Sequence, residues 1–359
     1  MPSTIENRIA NVGKILNDNK RPMKERFRAL FTLKNIKGEL ALKYIEEAFS
    51  DDSDLLKHEL AYCLGQMQDR AAIPILIKIL EDVEQVPMVR HEAGEALGAI
   101  GHPEVIDILE KYSSDPVIEV AETCQIALDR VKWLQKQEAL NDNNPYASVD
   151  PSPPLGIQKS VEDLRNILMN EEENLFDRYR AMFSLRNMRT KESILAVSKG
   201  LKGKSALFRH EIAFVLGQLQ SEHSIPYLVE NLRDPLENEM VRHECAEALG
   251  SIGTDECVKI LNEYLSDEKR VKEKNKVKMV LTSHIRNAVK RIPMIKFRSG
   301  GKNQSTEAAP ATTVPSAAVT SAKHATSGPA IEDWQLPNRY RRRPIDEQEI
   351  DAINSGGAY

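Results

Sequence analysis

Four of the chain's eight histidines sit in the dipeptide His-Glu: His58-Glu59, His91-Glu92, His210-Glu211 and His243-Glu244. With roughly one residue in ten a glutamate, chance supplies about one such pair, and that pair has no reason to keep a register. Here the two histidines of each set are 33 residues apart, and the two sets are offset by 152 residues. Imidazole and carboxylate without thiolate suit iron or manganese better than structural zinc. Two histidines and one carboxylate leave coordination positions open, and open positions at a two-metal centre serve either oxygen activation or metal-assisted hydrolysis. The spacing does not choose between them.

Neighbouring residues on a helix differ by about 100° in direction. One His-Glu pair therefore chelates a single ion poorly, but it can serve two ions lying side by side, with a carboxylate supplied from a facing half. The candidate ligands are His58, Glu59, His91, Glu92, His210, Glu211, His243 and Glu244, arranged as two equivalent sites. The competing reading is a non-catalytic scaffold in which His-Glu belongs to a solvent-facing helix consensus. Two observations oppose it. The outer-unit helices around Phe27 to Leu33 and Glu122 to Leu128 carry no His-Glu, and histidine is a mediocre helix former but a common metal ligand.

The elements that hold these residues repeat. RFRALFTLKNI (26–36) returns as RYRAMFSLRNM (178–188), and RHEAGEALGAIG from Arg90 returns as RHECAEALGSIG from Arg242, both at an offset of 152. The first 267 residues are thus a duplication, and the 33-residue period within each half reads as pairs of helices. A glycine follows each histidine by seven positions, at Gly65, Gly98, Gly217 and Gly250, where close packing needs a small residue. The pattern predicts an all-α fold: a HEAT-type α-solenoid in two duplicated halves facing each other across a di-metal centre. Second helices of the first half are expected near 22–36, 53–67, 86–100 and 116–134. Residues 1–138 form the first half, 139–158 a linker and 159–267 the second half. The linker's NNPYASVDPSPPLG (143–156) is rich in Pro, Ser and Asn and reads as a tether that lets the halves meet. Ions drawing ligands from both sides of it are expected to staple the halves together.

The copy stops after Asp267, where EKRVKEKNKVKMVLTS answers PVIEVAETCQIALDRV (116–131), so the last helix of the second half is missing. Residues 300–330 are rich in Ser, Thr, Ala and Pro, and 268–359 is expected to be a largely disordered tail. With a net charge of -5 and a pI near 6.0, phosphate-driven nucleic-acid binding is not expected. Four cysteines without a C-x-x-C pair suggest a reducing compartment, and no signal peptide or membrane span is predicted. Across the duplication His102 answers to Thr254 and His223 to Ala71, which reads as surface for both. Cys63 opposite Val215 reads as core and Cys245 opposite Ala93 as a small packing residue. Glu95 and Glu247 match each other, but four residues beyond a histidine they need do no more than line the helix.

At these residues the sequence resembles the deoxyhypusine hydroxylase family, HEAT-repeat di-iron monooxygenases. The four His-Glu pairs, the RALF/RAMF units, the Pro-rich linker and ETCQIALDR (122–130) carry the resemblance over about residues 1–267. It implies two Fe(2+) ions per chain, a cytoplasmic location and the last step of hypusine synthesis. That step is hydroxylation of the deoxyhypusine side chain on eukaryotic translation initiation factor 5A, using dioxygen and a reductant. It places His58, His91 and Glu211 on one iron and His210, His243 and Glu59 on the other, with Glu92 and Glu244 as further ligands or as catalytic residues orienting the substrate's cationic amine. After Asp267 the chain departs from that family, and the second resemblance begins at Met279. VLTSHIRNAVKRIPMIKF and LPNRYRRRPIDEQEIDAINSGG instead resemble the small adaptor subunit of the mitochondrial 2-oxoglutarate dehydrogenase complex, a pattern that a fusion of two gene models would explain.

Overall fold

The computed structural model describes residues 4–136, 144–146, 148–155 and 159–265; the expected tail, 268–359, lies outside the described residues. Among the described residues there are fifteen α-helices and no strand. The first half contains α1 (Thr4–Asn17), α2 (Met23–Ile36), α3 (Glu39–Ala48), α4 (Asp54–Met67), α5 (Ile73–Glu81), α6 (Pro87–Ile100), α7 (Ile106–Tyr112) and α8 (Ile118–Lys136). The second contains α9 (Val161–Met169), α10 (Leu175–Met188), α11 (Lys191–Lys199), α12 (Ala206–Leu219), α13 (Ile225–Arg233), α14 (Glu239–Ile252) and α15 (Asp255–Leu265). The helices expected to follow each short first helix are α2, α4, α6 and α8, within about two residues of their sequence-based bounds.

Local chemistry sets the helix ends. Ser53 caps α4 by accepting from the Leu56 amide, and its copy Ser205 caps α12 by accepting from the Phe208 amide. Gly101 and Gly253 end α6 and α14 at φ 70° and 69°, the left-handed region open to glycine. Close approach between neighbouring helices explains three of the four periodic glycines: a Cβ on Gly98 would lie 2.6 Å from the Ala127 Cβ, one on Gly65 2.7 Å from the Ala96 Cα and one on Gly217 3.1 Å from the Ala248 Cα, whereas a Cβ on Gly250 would meet no described atom within 4 Å, contrary to the expectation of close packing there.

Every second helix pair, α1–α2, α5–α6, α9–α10 and α13–α14, is also locked by an arginine. Arg26, Arg90, Arg178 and Arg242 donate from Nε to the carbonyls of Leu16, Leu80, Leu168 and Leu232, at 2.8, 2.9, 3.0 and 3.1 Å. The guanidinium thereby satisfies a carbonyl that the end of the preceding helix leaves open. Arg90 further pairs with the buried Asp115 at 2.6 Å, and Arg26 with Asp51 at 2.6 Å. In α6 and α14 this arginine immediately precedes the histidine, so pinning it outward turns His91 and His243 toward the other half.

Two apolar cores result, one per half, and α8 links them. Ile126 of α8 is buried in the second half's core. Ser205 donates to Glu122 of α8 at 2.6 Å, and Asn238 donates to Glu119 at 2.9 Å.

The segment expected as a tether is a strap fastened to both halves. The Gln66 side chain exchanges two hydrogen bonds with the Val149 backbone, at 3.1 and 2.8 Å. Arg186, fully buried, donates to both oxygens of Asp150 at 2.9 and 2.6 Å, and to Gln218 at 2.9 Å. Gln66 and Gln218 are the same position of the two copies. Arg130 ties the Asp150 carbonyl to that of Gly98, and Tyr146 lies against the Arg186 guanidinium with 4.6 Å to the ring centre. Asn144, Ser148 and Asp150 of the strap lack periodicity because they answer Arg186 and Gln218 across the fold. Replacing Asp150 with Ala leaves a buried arginine without its anion. Chemical denaturation of the metal-free protein should show a loss of about 3–5 kcal/mol; a loss below about 1 kcal/mol would show that the strap does not hold the halves.

Candidate metal centre

Helices α4 and α6 bring His58 and His91 against His210 and His243 from α12 and α14. Ring centroids are 5.8 Å apart for His58 and His91, 5.4 Å for His91 and His210, 6.3 Å for His58 and His210, and 6.4 Å for His58 and His243. All four rings are buried, as are Glu92, Glu211 and Glu244, with Glu59 half-buried. The solvent-facing consensus is thereby excluded. One turn along α4 and α12, Tyr62 and Phe214 meet edge to face at 6.4 Å, a layer between the histidines and the glutamines that grip the strap.

The donors gather in three groups whose ligand atoms lie within 4.8 Å of one another: His58, His91 and His210; His91, Glu92 and Glu95; His243, Glu244 and Glu247. Glu92 approaches His58 Nε2 at 3.2 Å, Glu59 approaches its Nδ1 at 3.5 Å, and Glu244 approaches His210 Nε2 at 3.4 Å. Neither ring nitrogen of His91 has a hydrogen-bond partner among the described residues, although the side chain is fully buried. Leaving such atoms unsatisfied costs about 1–3 kcal/mol each, and an ion in the cluster would take the lone pair of one of the two nitrogens. The donor set is nitrogen and oxygen only, since none of the described cysteines joins these groups. A harder first-row metal such as iron fits it.

Electrostatics point the same way. Burial, with His210 and His58 close by, holds His91 well below the usual histidine value, and burial with His58 beside it pushes His210 down to about 4. Both are neutral at pH 7, as ligands must be. Burial works against a charge on His58 too, but Glu92 and Glu59 raise it well above its ordinary value. Burial and neighbouring carboxylates raise Glu211 and Glu95, and burial with Glu247 pushes Glu244 up to about 8.

Of the remaining expectations, Cys63 and Cys245 are buried in the cores and His223 is exposed. His102 is half-buried and caps a short turn by accepting from the Glu104 amide. Glu95 and Glu247, expected merely to line their helices, instead stand inside the donor clusters. The available signal was the repeat position itself, glutamate four residues after the histidine in α6 and α14 but aromatic in α4 and α12.

A profile described as HEAT repeats matches residues 41–129 and 194–274. The Drosophila melanogaster protein named deoxyhypusine hydroxylase is 65% identical over 266 residues, which is 74% of this chain and 88% of that protein. The Homo sapiens protein of the same name is 54% identical over 266 residues, again 74% and 88%. The solved structure of human deoxyhypusine hydroxylase superposes with a TM-score of 0.73 at 53% identity, covering 78% of this chain and 96% of that one. A second profile, Alpha-ketoglutarate dehydrogenase component 4/YMR-31, matches residues 268–358, in agreement with the resemblance of the tail. Fold and site thus define a HEAT-repeat enzyme with a buried histidine–carboxylate cluster that could hold a metal ion. The chain belongs to the deoxyhypusine hydroxylase family.

Because Glu244 is pushed up to about 8, its proton competes with an incoming cation at neutral pH. Loading metal at pH 7 should release protons, and affinity should rise with pH through about 8, where Glu244 gives up its own. Calorimetry in buffers of different ionisation enthalpy reads this directly; heats independent of buffer would contradict it.

Proposed function

We propose that this chain hydroxylates the deoxyhypusine side chain of translation initiation factor 5A, the last step of hypusine synthesis, with two Fe(2+) ions, dioxygen and a reductant. The observation that carries the reading is the convergence of four buried imidazoles from both halves on one cleft, in a chain 65% identical to a deoxyhypusine hydroxylase. His58, His91 and Glu211 hold one iron, and His210, His243 and Glu59 hold the other. The nitrogen and oxygen donor set, the lowered pKa of His91 and His210 and the equivalence of the two copies support this ligation. Iron, when bound, would supply open coordination positions and redox chemistry for inserting one atom of dioxygen into a C–H bond, with the reductant providing the two electrons that, with two protons, reduce the other atom to water.

The remaining work falls to the chain. Glu92 and Glu244 orient the substrate's cationic amine, a role supported by their position beside the histidines of the neighbouring helix. The strap and the Tyr62–Phe214 layer exclude water from one end of the cleft. Among the described residues no helix is long and apolar enough to cross a membrane, which accords with action in the cytoplasm on a protein substrate. Residues 1–138 and 159–267 form the catalytic body, and 268–359 is a separate unit that supplies no ligand.

Replacing His58 or His243 with Ala should abolish stoichiometric iron and all hydroxylation of a deoxyhypusine-bearing substrate, because each removes one of three protein ligands. Metal analysis alongside product detection tests it. Full iron occupancy in both variants would sink the assignment.

A further inference from the structure

The cleft has one closed end. Beyond the Tyr62–Phe214 layer, Gln66 and Gln218 hold the strap near the C-terminal ends of α4 and α12. A side chain that reaches the four histidines therefore enters past the opposite ends, where the turns before α6 and α14 and the start of α8 form the rim. Among the described residues five large apolar side chains are exposed, and three of them stand on that rim: Val83 at 74%, Ile118 at 68% and Leu236 at 92%. Single exposed apolar residues are ordinary on a protein surface, but a group of them beside an opening marks an interaction site.

The rim is built to hold these side chains out. Asp82 accepts from the Glu84 amide at 3.1 Å, and its copy Asp234 accepts from the Leu236 amide at 2.9 Å, so the same side-chain turn fixes Val83 and Leu236 at their tips. Bonds between elements brace the edge. Lys57 of α4 donates to Gln85 at 2.9 Å, Arg90 joins the start of α6 to Asp115 at 2.6 Å, and Asp115 accepts from the Val117 amide at 2.8 Å. Asn238, two residues after Leu236, donates to Glu119, the residue after Ile118, at 2.9 Å. The three apolar side chains thus sit on one edge that crosses both halves, and a contact fixed in advance loses little conformational entropy on binding.

Charge on the edge has one sign. Glu84, Asp234 and Glu239 are exposed carboxylates beside the apolar tips. The cations set among them, Lys57, Arg90 and Arg209, are already paired with Asp54, Asp115 and Glu237. An apolar ridge with negative charge around it suits a partner surface that is basic and carries apolar side chains of its own.

We infer that the edge carrying Val83, Ile118 and Leu236 is a docking surface for the body of the protein substrate, gripping a basic surface around the side chain that enters the cleft. This deepens the reading of the chain as a protein hydroxylase and rests on it. The edge touches no reacting atom, so it sets which proteins are accepted and leaves the chemistry to the cleft. A short peptide carrying the same modified lysine reaches the histidines without needing the edge.

The test compares two probes on the iron-loaded full chain, kept anaerobic so that no turnover intervenes: folded translation initiation factor 5A bearing deoxyhypusine, and a short peptide bearing it. Val83→Ser, Ile118→Ser and Leu236→Ser should each weaken binding of the folded protein by about 3–10-fold, and the triple variant by about 30–100-fold, with the peptide's affinity unchanged. In turnover the triple variant should raise KM for the folded protein and keep kcat. Glu84→Gln combined with Glu239→Gln should weaken the folded protein's binding more at low salt than at high salt. Ile36→Ser, at an exposed apolar position that ends α2, is the control and should change neither probe. Circular dichroism checks folding, and the single variants give the reading should the triple variant misfold. Equal binding of the folded protein before and after substitution overturns the proposal. An equal loss for protein and peptide does so too, as does a self-associated chain that the triple variant makes monomeric with substrate binding intact. If the unaltered chain binds neither probe, the protein-hydroxylase reading fails first and this inference falls with it.

Discussion

Buried imidazole without a hydrogen-bond partner is the condition around which the rest of the molecule is arranged. Both ring nitrogens of His91 and of His210 lack hydrogen-bond partners among the described residues, in the middle of an apolar solenoid. At about 1–3 kcal/mol for each unsatisfied group, no sequence optimised for metal-free stability would keep them there. The surrounding carboxylates add to the strain, since burial and mutual repulsion push Glu95, Glu211 and Glu244 toward their protonated forms. A divalent cation relieves both kinds of strain at once, and its binding energy then becomes stability of the closed cleft.

Such a site needs a frame that does not depend on the ion. The buried arginines supply part of it by fastening α2, α6, α10 and α14 each to the helix before it. The Arg186–Asp150 pair supplies another, joining the strap to the second half while Gln66 joins it to the first. Together with α8, whose Ile126 enters the second half's core, these contacts hold the halves in register. The copied halves are not electrostatically equal: His58 is raised while its counterpart His210 is lowered.

Much of this was legible in the residues because duplication makes the chain its own comparison. The 152-residue offset exposed the His-Glu pairs, the helix pairs and the periodic glycines, and the inner helices fall where the apolar pattern put them. What stayed hidden depends on contacts distant in sequence. Asp150 and Ser148 look like ordinary linker residues until Arg186, 36 positions away, and Gln218, 70 positions away, fold against them. Glu95 and Glu247 were hidden for a different reason. Glutamate one turn after a polar residue is common on solvated helix faces, and only the meeting of the two halves turns that face inward. The Tyr62–Phe214 contact likewise joins residues from opposite halves.

The central claim is that two metal ions occupy the cleft between the halves, each held by histidines of one half and a carboxylate of the other. Anomalous diffraction at the iron edge, from crystals of the iron-loaded protein, tests it most directly. The account predicts two peaks enclosed by α4, α6, α12 and α14, with nitrogen and oxygen donors and no sulfur. No peak in that cleft, or iron bound only at the surface, would contradict it.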